Sequence, residues 1–142
     1  MIRFRIATRQ QITREFRDLR LLLERATDTM TGELNATDVL AQLLQGQRSL
    51  LVIEDLEQAD PTLAVGVLSI VTHPRKTLLQ VDALAGREMD EWLEQLLVEL
   101  DRLANQAGAD MVRVYGRPGW ARKLKPYGYG HQSVALTKQV GA

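Results

Sequence analysis

The sequence predicts an α/β (α+β) fold, a three-layer α/β/α sandwich with a mixed, partly antiparallel central sheet. Three observations carry that prediction. Strand-like segments, of period two or short and apolar, are interspersed with segments of helical period along the whole chain. Three strand-like runs follow one another in residues 49–85 with only short turns between them, the pattern of antiparallel neighbours. A long amphipathic helix then separates the last of these runs from a further strand, and such a crossover joins parallel strands with right-handed connectivity.

Taken in order, Ile2, Phe4 and Ile6 alternate with Arg3 and Arg5, which gives a strand with one buried face. Thr8 is placed to cap the helix that follows. In that helix Ile12, Phe16, Leu19, Leu22, Leu23 and Ala26 share one side, opposite Arg14, Arg17, Arg20 and Glu24. Residues 27–32 are small and polar, a turn. Asn35 or Thr37 caps a second helix carrying Val39, Leu40, Leu43 and Leu44, closed by Gly46. Residues 49–53 form a buried strand, and residues 56–62, with Pro61 among acidic and amide side chains, a hairpin loop. Residues 63–71 form the next strand, where Gly66 marks a bulge or a close backbone approach. His73-Pro74-Arg75 turns the chain into a strand over residues 77–85, ended by Gly86.

The strongest helical pattern follows. Met89, Trp92, Leu93, Leu96, Leu97, Leu100, Leu103 and Ala104 recur at steps of three and four, and Ala107-Gly108 terminates them. Met111, Val112, Val114 and Tyr115 form a strand. Pro118 fits the first turn of a short helix, where its missing N–H costs little. Pro126, Gly128 and Gly130 stop that helix, and residues 134–136 read as a last strand.

A chain of 142 residues is enough for one domain, residues 1–142, with a core that needs no staple. The absence of cysteine excludes disulfides, thiolate catalysis and zinc–thiolate sites. No apolar run reaches the ~18–20 residues of a membrane span, and the first residues lack the hydrophobic stretch of a secretory signal, so a cytoplasmic protein is expected. Formal net charge is zero, which gives no bulk argument for nucleic acid or membrane. The charge is nonetheless segregated. No acid follows Asp110, whereas Arg113, Arg117, Arg122, Lys123, Lys125 and Lys138 do, and residues 54–60 are acidic. The two regions suit self-association or a partner.

The order of elements, the long helix ending in Ala107-Gly108, the strand after it and the closing Gly128-Tyr129 resemble the GNAT superfamily of acyl-CoA N-acyltransferases. The phrase Gly116-Arg117-Pro118-Gly119-Trp120 looks most like small phage-encoded members, which implies a host cytoplasm or a virion as the location. The resemblance implies a Q/R-x-x-G-x-G/A loop that cradles the pyrophosphate of acetyl-CoA at the start of the long helix. In the family's usual register that loop falls on residues 88–93, where Glu88 and Glu91 replace the first residue and the first glycine and Leu93 the second small residue. A shifted register, Gln80-x-x-Ala83-x-Ala85, substitutes alanines for glycines. Ala85, Gly86 and Arg87 are the cofactor-binding candidates, with Arg122 for a phosphate of the same ligand. The family's frequent tyrosine acid falls on Leu124, so Tyr127 and Tyr129 are the nearby candidates to protonate a leaving thiolate. Asp82, or Glu54, is the carboxylate placed on the central strands to act as base.

Each candidate also has a structural reading. Lone histidines, His73 at a turn and His131 in a basic region, are ordinary loop residues unless a partner is found. Trp92 falls on the apolar face of the long helix. Trp120, between Gly119 and Arg122, serves either the core or a partner, and Arg117, Trp120, Lys123 and Lys125 are the candidate interaction surface. No metal-ligand spacing is present. Three functions are compatible with the sequence: an acyl-CoA-dependent N-acyltransferase acting on an amine, with a divergent cofactor loop; a catalytically inactive GNAT-fold protein that binds a protein partner, as in phage particle assembly; and a nucleic-acid-associated module using the basic C-terminal segment.

Overall fold

A computed structural model describes residues 1–30, 32–116, 118–131, 133 and 135–141. The chain runs β1 (Ile2–Ile6), α1 (Arg9–Thr27), α2 (Ala36–Leu44), β2 (Ser49–Asp55), β3 (Thr62–Thr72), β4 (Thr77–Gly86), α3 (Met89–Gln106), β5 (Met111–Val114) and α4 (Pro118–Leu124), followed by a 3-10 turn, Lys125–Tyr127. The strands form one sheet in the order β1-β2-β3-β4-β5. The first four are antiparallel neighbours and β5 is parallel to β4, so the sheet is mixed as the sequence predicts.

Helices cover both faces. On one, Ile12, Leu19 and Leu23 of α1 and Val39 and Leu43 of α2 pack on Val52, Val65 and Val67. On the other, Trp92, Leu96 and Leu100 of α3 and Leu124 of α4 pack on Leu51, Ile53 and Leu79. Each such side chain contributes roughly 1.5–3 kcal/mol when fully buried, so the two cores fix the sandwich.

The caps follow the sequence. Thr8 and Gln11 form a reciprocal capping box on α1, and Asn35 and Asp38 form one on α2. Gly46 and Gly108 follow the helix ends with positive φ, as expected of glycines in that position.

Two register shifts bend the sheet. One lies beside Glu54, and the other lies between Val67 and Leu68, where Asp82 becomes the extra residue of β4. Gly66 itself is regularly paired with Leu51 and Leu84. The predicted last strand is corrected. Val134 lies outside the described residues, Ala135 and Leu136 belong to no strand, and Leu136 is 91% exposed. Leu136 has no apolar surface over it, and β propensity without burial does not make a strand.

Candidate functional site

Strands β4 and β5 part company halfway along β4. Their last pair is Val81 with Val114, and the Tyr115 N–H donates to the Val81 carbonyl at 3.1 Å. Beyond that point residues 82–86 continue along β3 only, while the other chain turns away at Gly116 into α4. A side chain on Gly116 would crowd the Trp120 ring, since an added Cβ would lie 3.0 Å from it. The Asp82 bulge sits where the parting begins.

The gap is a cleft of about 190 Å³. Leu84, Ala85 and Gly86 line one wall, and Tyr115, Gly116 and Trp120 the other. Met89 and Trp92 of α3 contribute more apolar surface, while Arg25 and Thr29 bring the end of α1 to the cleft. Among the described residues the lining holds no carboxylate. A strand edge left without a partner offers backbone N–H and C=O groups to an amide-bearing ligand. At the carboxyl end of β4, where a parallel neighbour diverges, ligand crevices commonly open.

At the junction stands a polar cluster. Asp82, 8% exposed, accepts a hydrogen bond from Gln80 Nε2 at 2.7 Å and meets Arg48 Nη1 at 2.5 Å. The Arg48 contact is a close charge pair that lacks the alignment of a hydrogen bond. Arg48 also donates to Gln42 of α2, and Arg113 of β5 donates to Gln80 at 3.4 Å. The cluster thus spans α2, β4 and β5 across the start of the gap. The other carboxylate candidate, Glu54, is buried between Arg3 at 2.5 Å and Arg5 at 3.1 Å, tying β1 to β2.

The turn from β4 into α3 is held on every side. The Arg87 N–H donates to the Leu63 carbonyl at 2.9 Å, and the Arg87 carbonyl accepts from the Trp92 indole at 2.8 Å. Its guanidinium reaches toward the β2–β3 loop, donating to Gln58 at 3.1 Å and to Asp60 Oδ2 at 3.0 Å, and also pairs with Glu88. These carboxylates, Asp60 foremost, push the guanidinium above its ordinary value. Gly86 is packed against β3: an added Cβ would lie 2.2 Å from the Ala64 Cβ and 2.4 Å from the Leu63 carbonyl oxygen. Glu88 adopts the left-handed conformation, φ 57°, and its side chain caps nothing. The first turn of α3 carries Asp90 and Glu91, and Asp90 faces Lys123 of α4 at 3.5 Å.

Of the residues singled out from the sequence, the structure brings Ala85, Gly86 and Trp120 to the cleft. Arg87 borders it but points away. Arg122, Lys123 and Lys125 are exposed on or just after α4, and Arg117 lies outside the described residues. Tyr127 is 46% exposed in the 3-10 turn. Tyr129 packs against the α3 core, its hydroxyl buried without a hydrogen-bond partner among the described residues, and burial, reinforced by Asp101, pushes its pKa up to about 12. Neither tyrosine lines the cleft. His73 and His131 are exposed. Sequence reasoning did not place Tyr115, Arg25 or Thr29 at a ligand cleft. Tyr115 had a usable signal, its place at the carboxyl end of a strand that follows a crossover helix.

No protein-family model matches the sequence, and no curated protein matches it. Solved structures do match the fold. A ribosomal-protein-alanine N-acetyltransferase from Brucella melitensis superposes with a TM-score of 0.71 at 12% identity, covering 99% of this chain and 100% of its own. Glucosamine-6-phosphate N-acetyltransferase from Arabidopsis thaliana gives 0.66 at 15% identity, covering 99% of each chain. A GNAT family acetyltransferase from Staphylococcus aureus gives 0.65 at 13% identity, covering 98% of each. Sequence identity this low speaks to architecture alone, and the architecture is that of the GNAT acetyltransferases.

Proposed function

We propose that the chain is a GNAT-fold N-acyltransferase that moves an acyl group from a thioester to an amine in the cleft between β4 and β5. The observation that carries this reading is the parting of the two strands at Asp82 and Tyr115, which leaves residues 82–86 without a partner on that side among the described residues. The arm of an acyl-pantetheine is narrow, carries two amides and ends in the thioester. A slot of mixed apolar and polar surface with an unpaired strand edge on one wall suits it.

Transfer requires the amine nitrogen to bond to the thioester carbon as the carbon–sulfur bond breaks. The departing sulfur takes up a proton, and the amine gives one up. Tyr115 and Thr29 both bring a hydroxyl to the lining; a phenol is a stronger acid than an alcohol, so Tyr115 is the proton donor in this reading. With no carboxylate among the described residues of the lining, the amine's proton passes to solvent. Asp82 is a positioning residue: paired with Arg48 and Gln80, it holds the bulge that opens the cleft.

The test is amine-dependent release of free thiol from acetyl-CoA and from S-acetylpantetheine over a panel of primary amines. Tyr115→Phe is expected to lower the rate by about 10²-fold, the lower end of general-acid effects, while leaving thioester binding unchanged. Absence of amine-dependent thiol release in the native protein, together with no calorimetric binding of either thioester, would sink the reading. It would favour the second one, a non-catalytic GNAT-fold component of a protein assembly, for which the carboxylates at the start of α3 are the supporting observation.

A further inference from the structure

We infer that the donor is recognised by its pantetheine thioester arm and not by a nucleotide diphosphate. This deepens the acyltransfer reading and rests on it. Three features of the cleft's α3 end converge. First, the turn presents acid: Glu88, Asp90 and Glu91 stand at the start of α3, beside Gly86 and Met89 of the lining. They suit the helix dipole, and with Glu88 paired to Arg87 and Asp90 facing Lys123 the turn still sets three carboxylates against two cations, which disfavours a diphosphate at the same place. Second, the one cation of the turn is engaged elsewhere, because Arg87 is bound to Gln58, Asp60 and Glu88. Third, the turn's glycine does not leave room for a ligand. Gly86 is needed by β3, which an added Cβ would strike at 2.2 Å, and the Arg87 N–H is spent on Leu63.

The walls are compatible with the arm, whereas the α3 end is not compatible with the phosphates of coenzyme A. The ligand chemistry is therefore an acyl-pantetheine without 3′-phosphoadenosine diphosphate. It comes either from a free small molecule or from a phosphopantetheine arm on a carrier protein, whose one phosphodiester has far less charge to repel.

Calorimetric titration of the full chain decides the matter without any need for turnover. The titrants are acetyl-CoA, S-acetylpantetheine and an acetylated carrier protein. S-acetylpantetheine is expected to bind at least as tightly as acetyl-CoA. The double variant Asp90→Asn, Glu91→Gln, which also frees Lys123, should strengthen acetyl-CoA binding by about tenfold at low salt and leave S-acetylpantetheine unchanged. Both positions are exposed, so the variant should fold, and its thermal unfolding serves as the check. Carrier protein binding tighter than S-acetylpantetheine identifies the tethered source, and equal or weaker binding identifies the free one.

Acetyl-CoA binding more than about tenfold tighter than S-acetylpantetheine in the native protein would overturn the inference while leaving the acyltransferase reading intact. So would an unchanged affinity ratio in the double variant. A selective loss of acetyl-CoA binding in Arg25→Glu would overturn it as well, by placing the nucleotide at the opposite end of the cleft. If no thioester binds, the acyltransferase reading fails and this inference fails with it.

Discussion

The two halves of β4 differ in one respect, and the difference locates the site. From Leu78 to Val81 the strand has neighbours on both edges, β3 and β5. From Asp82 to Gly86 it has β3 alone. The first half is a closed ladder with Leu78, Leu79 and Val81 buried. The second half keeps its side chains largely covered but leaves one row of backbone groups facing a cleft. The same strand thus supplies a scaffold and an opening, and the change of character falls on a single bulged carboxylate. What separates the halves is not composition, since both are apolar. It is the loss of register at Asp82 and the turning away of the chain at Gly116.

The sharpest way to break that contrast is to remove what holds the junction. Arg48→Met leaves the Asp82 carboxylate, its side chain 5% exposed, with only the Gln80 amide. An uncompensated buried charge costs about 3 kcal/mol, so a loss of that size is expected in urea unfolding at neutral pH. The double variant Arg48→Met, Asp82→Leu should recover most of it. A loss below about 1 kcal/mol for the single variant would show that the pair behaves as an exposed one and does not secure the bulge.

The far end of the open half gives the next effect. Gly86→Ala drives a methyl into Ala64 and the Leu63 carbonyl, backbone that yields poorly, and should cost about 2 kcal/mol. Gly66→Ala, on the same pair of strands, meets nothing nearer than the Leu84 methyl at 3.4 Å and should cost less than half as much. Equal losses at the two glycines would mean that β3 and β4 are no closer at the cleft than elsewhere.

Much of this architecture was legible beforehand, and the reasons are physical. Apolar periodicity records burial, so the long helix from Met89 and the strands of residues 49–85 could be read directly. Caps such as Thr8 and Asn35 are local and equally legible. The site was less so. Val112, Val114 and Tyr115 continue one strand-like pattern across the point where pairing stops, because pairing depends on a neighbour the sequence does not display. Gly86 read as room for an anion, whereas its reason is the approach of β3. Arg87 read as a phosphate ligand, although its partners, Gln58 and Asp60, lie in a loop 27–29 residues upstream. Arg25 and Thr29 join the cleft only through tertiary packing.

The smallest effects distinguish two tyrosines, one at the open half of β4 and one outside it. Tyr115 lines the cleft at 55% exposure, and Tyr115→Phe should change stability by less than about 0.5 kcal/mol while acting on transfer. Tyr129 is the opposite case. Its hydroxyl is buried against α3 with no partner among the described residues, so Tyr129→Phe should stabilise the protein by about 1 kcal/mol at neutral pH. The pH dependence follows from the same burial. The folded state holds the phenolic proton to about pH 12, while the unfolded chain releases it near pH 10. Protonation is therefore favoured by folding, stability is unaffected below pH 10, and it falls as pH rises from there toward 12. With the side chain only partly buried, solvent screening limits that loss to about 1 kcal/mol. Chemical unfolding of native and Tyr129→Phe protein at pH 8, 10 and 11.5 should show the gap between them widening with pH. A constant gap would mean that the hydroxyl reaches water, which would reopen Tyr129 as a proton donor and weaken the assignment to Tyr115.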